Sequence, residues 1–375
     1  MNQITHTLET VCHSTMMAHS MCFIREMRGI HVPLNLLNGL WRRQKILFTM
    51  KIKESQFQKR EMILRSNTFS QEVFFEGNHK FHAIYTAYNR DFAAQGKDAQ
   101  VLMSAESDDL LNWKKTGKFV LPAPEGYDGN DWRDPFILWE EESQQYIMIL
   151  GARKLQGKKK RTGRTVWFTS KDLAEWHFEG DFWAPETFTM HEMPDLFKMG
   201  DWWYLLTTEY SERSKTIYRM SRSLEGPWIA PADDAFDGRA YYAARSCSDG
   251  KHRYLFGWAA TKTDNQDMNS WDWAGTFVCH EIYQRPDGTL GVKLPDSMLS
   301  AFEPAAEVLK GDAVLKTVDS QANLRITETP EDFFKVEMDF QISDNTRKFG
   351  IRLFEDPETG DAYKYEVNLA ETGFI

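Results

Sequence analysis

The sequence predicts an all-β chain: a β-propeller followed by the opening strands of a β-sandwich. Three observations predict it. Short apolar runs alternate with polar turns from about residue 75 onward. Those runs recur every 50 to 65 residues, the span of a four-stranded propeller blade. Beyond residue 295 the pattern changes to strict apolar–polar alternation.

The runs are Lys80–Tyr85, Gln145–Leu150, Trp203–Leu206 and Arg253–Trp258. Each follows a turn: Glu76-Gly77-Asn78, Glu140-Glu141-Glu142, Met199-Gly200-Asp201 and Asp249-Gly250-Lys251. Each therefore reads as the second arm of a hairpin. Phe81, Tyr146, Tyr204 and Tyr254 lie 65, 58 and 50 residues apart. A second element repeats downstream: Ser107-Asp108-Asp109-Leu110-Leu111-Asn112-Trp113 is matched by Ser170-Lys171-Asp172-Leu173-Ala174-Glu175-Trp176, and more loosely by Ser223–Trp228. Four blades follow, at about 74–120, 134–180, 194–232 and 243–292, within a propeller domain of 76–295. In 296–375, the stretches Phe334–Ile342, Phe349–Phe354 and Tyr363–Val367 alternate as half-buried strands do. So few strands do not cover two faces, so this second domain reads as truncated.

Residues 1–75 have another texture. No Asp precedes Asp91 and no Tyr precedes Tyr85; residues 1–72 hold ten Lys/Arg against five Glu, in a chain whose net charge is −10. The overall negative charge argues against a nucleic-acid surface. Cysteines at 12, 22, 247 and 279 have no metal or redox spacing, so reduced thiols are expected. No apolar run approaches 18 residues and no signal peptide is evident, which predicts a soluble cytoplasmic protein without a membrane partner. No motif points to a nucleotide, a metal or another cofactor. Aromatics at 14 % suit β-cores and leave rings for a sugar-binding cleft.

A propeller carries function where its innermost strands converge, and the innermost strand is the first of each blade. Two blades open on an acid near a proline: Trp132-Arg133-Asp134-Pro135-Phe136 and His191-Glu192-Met193-Pro194-Asp195-Leu196-Phe197. Proline is tolerated at a strand entrance because its missing N–H costs no ladder bond there. His191 and Glu192 are adjacent and on no evident helix, which argues against a metal site. Either motif alone is a weak signal; the two at successive blade entrances are specific.

With these motifs the chain resembles glycoside hydrolase family 32, the β-fructofuranosidase, invertase and levanase family. The resemblance rests on Arg133-Asp134-Pro135, on Glu192-Met193-Pro194 with Asp195, on Phe236–Ala244, on Leu255-Phe256-Gly257-Trp258 and on Trp271–Gly275. It covers about 76–300. It implies a five-bladed propeller, its first blade disrupted here, then a β-sandwich. It implies retaining cleavage of sucrose or fructans by a carboxylate nucleophile and a carboxylic acid about 5–5.5 Å apart. Glu192 would be the acid/base, with a pKa raised by burial and neighbouring negative charge. Asp134 would bind sugar hydroxyls and Arg133 hold a carboxylate or hydroxyl. Asp195 and Asp237 join the substrate-binding candidates, and Tyr241, Trp258 and Trp271 are candidates for the apolar face of a fructosyl ring.

The family's nucleophile is an Asp of the first blade, and this chain has none there. One reading-frame shift accounts for its loss. Taking the last base of each codon with the first two of the next, Met16-Met17 and Met62-Ile63 can only read Asp, and Met50-Lys51 only Glu. Residues 1–75 are accordingly read as a frame-shifted first blade, the alternative being a genuine N-terminal arm. Activity of the chain as written is expected to be low. The competing functions are a fructosyltransferase, a sister-family pentosidase acting on arabinose or xylose, and a non-catalytic carbohydrate-binding propeller.

Overall fold

The computed structural model describes residues 71–76, 80–108, 113–157, 161–266, 268–299, 340–343 and 346–369. The chain forms two compact units, Met1–Pro295 and Asp296–Ile375. Among the described residues, four antiparallel sheets follow one another in the first. They are β1 (Gln71–Glu76) to β4 (Trp113–Leu121), with β2 (Lys80–Tyr88) and β3 (Gln100–Ser107) between; β5 (Tyr127–Glu140), β6 (Gln145–Lys154), β7 (Gly163–Ser170) and β8 (His177–Trp183); β9 (Glu192–Met199), β10 (Trp202–Glu209) and β11 (Lys215–Ser221); and β12 (Tyr241–Ser248), β13 (Arg253–Lys262), β14 (Trp271–Gln284) and β15 (Leu290–Lys293). Each sheet keeps its strands in chain order, as propeller blades do. The first strands face one another: β5 lies against β9, and β9 against β12. The fold is an all-β propeller.

The blade elements arise from local chemistry. The four hairpin arms expected from the sequence are β2, β6, β10 and β13. The repeated Ser-x-Asp element links third to fourth strands. In the second blade Ser170 Oγ accepts from the Leu173 N–H at 2.9 Å, and Asp172 accepts from Ala174 and Glu175 N–H, each at 2.9 Å. These bonds close the turn before β8. The third blade has three strands where four were expected. Its last segment carries Pro227 and Pro231, which have no N–H to donate, and it is reduced to the bridges Met220↔Ile229 and Ile217↔Ala235.

Apolar side chains fill the spaces around and between blades. Trp132, Met148, Leu150 and Phe168 pack with Ile84 and Leu102 of the first described blade. Ile147 and Ile149 pack with Leu196, Trp203 and Leu205 of the third, and Phe197, Tyr204 and Tyr218 with Tyr241, Leu255 and Ile282 of the fourth. In the second unit β16 (Lys348–Leu353) pairs antiparallel with β17 (Tyr363–Asn368). The side chains of β16 alternate between exposed and half-buried, as the sequence predicts. The expected strand at Phe334–Ile342 falls mostly outside the described residues, as do residues 1–70, and with them the segment expected to be a disrupted first blade.

Candidate active site

Three inner strands make the same departure from regular pairing. In β5, Arg133 pairs with Gly151 and Phe136 with Ile149, so Asp134 and Pro135 together oppose one residue. In β9, Glu192 pairs with Thr208 and Asp195 with Leu206, leaving Met193 and Pro194 opposite one. In β12, Tyr242 pairs with Trp258 and Arg245 with Phe256, leaving Ala243 and Ala244 opposite one. Each is a bulge whose first residue is left-handed: Asp134 at φ 62°, Met193 at 48° and Ala243 at 52°. Prolines suit the second position in two of them, where an unpaired N–H is no loss. Left-handed backbone in non-glycine residues is strained and is characteristic of functional sites.

The residues immediately before the bulges, Arg133, Glu192 and Tyr242, meet one another. Arg133 Nη2 donates to Glu192 Oε1 at 2.6 Å, and the Tyr242 hydroxyl donates to Glu192 Oε2. Asp134 is buried at 7 % exposure; its Oδ2 accepts from the Met193 N–H at 3.1 Å and lies 3.8 Å from Arg133 Nε. Arg133 is held from behind by Asp131 at 2.6 Å, and Asp131 in turn by Arg153 at 2.7 Å. Gln100 Oε1 accepts from the Trp132 N–H at 2.7 Å, fixing the approach to the bulge.

Burial raises the Glu192 pKa, and Asp134 adds to the rise, against the pull of Arg133 and the hydrogen bond from Tyr242. The carboxyl can therefore keep a proton nearer neutrality, as a general acid requires. Burial alone would lower the Arg133 pKa, but Glu192, Asp134 and Asp131 together drive it above its ordinary value. The Tyr242 phenol is raised, first by burial and then by Glu192, so it stays a donor. The Tyr210 phenol is raised by burial and by the charges of Asp131 and Glu192 and sits on the rim, 39 % exposed.

The entry of β9 is set by close packing. A Cβ on Gly151 would lie 2.0 Å from the His191 carbonyl oxygen, so only glycine lets β6 approach that turn. His191 is fully buried against Trp183, 4.6 Å between ring centroids, with Nδ1 3.1 Å from Thr165 Oγ1. Burial, then Arg164 and Arg219, push its pKa down to about 3, so it is a neutral packing residue.

The remaining candidates divide. Asp195 is fully buried one layer below Glu192, with Oδ2 accepting from the Ser246 N–H of β12 at 2.5 Å. It ties two blades together instead of facing a sugar. Tyr241 is 2 % exposed and packs in the core between the third and fourth blades, its hydroxyl 3.4 Å from the Leu255 carbonyl. Neighbours on a strand point to opposite faces, so it is Tyr242 that reaches Glu192. Trp258, 7 % exposed, packs against Tyr242 at 5.6 Å. Asp237, its side chain 48 % exposed, meets His280 Nε2 at 3.0 Å, and that bond lowers its pKa. Trp271 is 40 % exposed under Lys262, while Trp273 touches both Tyr242 and Trp258. The structure thus brings together Arg133, Asp134, Glu192 and Trp258, and adds Tyr242, Asp131 and Trp273. The blade period would have found Tyr242: Arg133, Glu192 and Tyr242 are 59 and 50 residues apart, close to the hairpin spacing.

The sequence is similar to those of known glycoside hydrolases. A model of the Glycosyl hydrolases family 32 N-terminal domain matches residues 47–282. The sucrose-6-phosphate hydrolase of Bacillus subtilis (strain 168) is 30% identical over 226 residues, 54% of this chain and 43% of that protein. The levanbiose-producing levanase of Geobacillus stearothermophilus is 24% identical over 299 residues, 68% of each. Fructan 1-exohydrolase IIa from Cichorium intybus superposes with a TM-score of 0.49 at 17% identity, over 62% of this chain and 47% of that one. The chain spans less than half the length of the sucrose-6-phosphate hydrolase. The family match takes in more than half of this chain, which belongs to glycosyl hydrolase family 32.

Proposed function

We propose that the protein is a glycoside hydrolase of fructose-containing sugars, sucrose or fructans, in which Glu192 protonates the leaving-group oxygen and Asp134 anchors fructosyl hydroxyls. The observation that carries this is the suspension of Glu192 between Arg133 and Tyr242, with the buried Asp134 beside them and the acid's pKa raised. Glu192 would donate its proton as the glycosidic bond breaks. Hydrogen bonds from sugar hydroxyls to Asp134 would strengthen as the ring gains oxocarbenium character. Arg133 keeps Glu192 aimed and its second acidic neighbours compensated. The levanases and sucrose-6-phosphate hydrolases among the relatives support the substrate class.

Retention needs a second carboxylate as nucleophile, and the first-blade Asp is missing from the sequence before Asp91. Turnover by this chain is therefore expected to be slow, and this same absence favours the second reading, a propeller that binds fructosides without turning them over. Incubation with sucrose and inulin, with fructose measured against Glu192→Gln, tests both. Slow fructose release abolished by the substitution supports the hydrolase; tight sugar binding with no release supports the second reading. Release of pentoses from arabinan or xylan instead would overturn the assignment to fructosides.

A further inference from the structure

The site divides at Glu192. Its Oε1 faces Arg133, with Asp134 behind, and its Oε2 faces Tyr242. Beyond Tyr242 lies Trp273 of β14, at 5.9 Å between ring centroids and 67° between planes; Trp273 also meets Trp258 at 5.6 Å and 69°. These contacts support one part of the indole, yet Trp273 is 63 % exposed. Trp271 stands two residues earlier, at the start of β14 where its pairing with β13 shifts register, and is 40 % exposed, with Lys262 Nζ 4.0 Å over its ring. A supported indole left to solvent beside a carboxylate cluster, with a second exposed indole two residues away on the same strand, marks a binding surface.

The chemistry says which part of a substrate they meet. A general acid must reach the glycosidic oxygen, so the leaving group starts on the acid's side, away from the groups that hold the transferred ring. Asp134 and Arg133 occupy one side of Glu192, and Tyr242 with Trp273 the other. We propose that Trp273, extended outward by Trp271, is a stacking subsite for the leaving-group sugar of oligomeric and polymeric fructosides. This rests on the roles given above to Glu192 and Asp134. A sugar ring presents a C–H face that can cover an indole while its hydroxyls stay wet, and the Lys262 ammonium lies within reach of those hydroxyls.

The test compares Trp273→Ala, Trp273→Phe, Trp271→Ala and Glu192→Gln with the unaltered chain. Hydrolysis is read on inulin and on methyl β-fructofuranoside, whose leaving group has no ring. Binding is read separately, as retardation in native gels cast with inulin. Trp273→Ala is expected to cut kcat/KM on inulin about tenfold, through KM, and to change the methyl fructoside less than about twofold. Its retardation by inulin is lost, that of Glu192→Gln is kept, and Trp273→Phe recovers part; Trp271→Ala has the smaller effect. Equal losses on both substrates, or full retardation of Trp273→Ala, would overturn the subsite. If neither fructoside is hydrolysed, the proposed activity fails and the gels still decide: retardation that depends on Trp273 supports the subsite, and no retardation of the unaltered chain overturns it.

Discussion

Two tiers of the inner strands, one on each side of the bulges, occupy equivalent places in three blades and carry opposite chemistry. Above the bulges stand Arg133, Glu192 and Tyr242, with Arg133 and Tyr242 both bonded to Glu192. Below stand Phe136, Asp195 and Arg245. Arg245 is 5 % exposed and reaches from β12 to the carbonyls of Asp134 at 2.9 Å and Pro135 at 3.1 Å; Asp195 takes the Ser246 N–H. Burial perturbs both tiers, raising Glu192 and Asp195 and lowering Arg245 to about 9. The difference lies in where the side chains end. The upper tier meets side chains and solvent; in the lower tier Asp195 takes a backbone N–H of the fourth blade and Arg245 caps the carbonyls of the bulge in the second. Similar pKa shifts therefore do not by themselves mark function; the partner does.

The largest expected effect lies outside both tiers. Correcting one base within codons 1–75, so that a first-blade Asp is restored, is expected to raise fructose release by at least ~10³-fold, the scale of losing a nucleophile. If no single shift in independently read DNA yields an Asp-bearing blade, residues 1–75 are a genuine arm and that gain disappears. Within the upper tier, Glu192→Gln is expected to lower hydrolysis by about 10³-fold while inulin affinity persists. Its stability effect has the opposite sign. A carboxyl whose folded pKa is raised favours folding at low pH, and that contribution is lost as pH rises through the folded value. Thermal unfolding should therefore show Glu192→Gln more stable than the unaltered protein at neutral pH, by about 1 kcal/mol, with the gap closing as pH falls into the carboxylate range.

The lower tier should behave in reverse. Arg245→Met leaves two buried carbonyls without their donor and is expected to cost about 3 kcal/mol in urea unfolding. Arg133→Met should cost less stability and chiefly raise the Glu192 pKa further, since Arg133 now pulls it down. If Arg133→Met proves the more destabilising, the division into a working and a supporting tier is wrong. Tyr242→Phe removes a bond that lowers the Glu192 pKa. Activity that needs the protonated acid is lost as pH rises through that pKa, so the alkaline limb of the pH profile should move upward, with a loss of rate of about tenfold or less. An unmoved limb would place Tyr242 outside the proton's control.

The blade period, the hairpin turns and the two acids before proline were legible in the sequence because each has a local cause: turn residues, alternation and a missing N–H. Asp195 and Tyr241 were misplaced because a motif shows neither depth nor face. Asp195 follows the bulge of β9 and lies a layer below Glu192, and Tyr241 alternates with Tyr242 just before a bulge at Ala243 and Ala244 that carries no proline to mark it. Arg245 was invisible for another reason: its partners are backbone carbonyls of Asp134 and Pro135, more than a hundred residues away, and no side-chain pattern encodes them.

The unmarked bulge gives the smallest and most direct test. Ala243 holds φ 52° with a Cβ, where left-handed backbone costs a non-glycine residue about 1–2 kcal/mol. Glycine removes that cost but gives the unfolded chain more freedom, worth about 0.5–1 kcal/mol against folding. Ala243→Gly is therefore expected to stabilise the protein by about 0.5 kcal/mol, read from urea midpoints at unchanged slope. Ala244 follows it outside the strained position, and Ala244→Gly should instead destabilise by a similar amount, since its Cβ is fully buried in the core between blades. Opposite signs at two adjacent alanines would confirm that the third bulge is built like the proline-marked pair; equal signs would mean that Tyr242 reaches Glu192 from an ordinary strand.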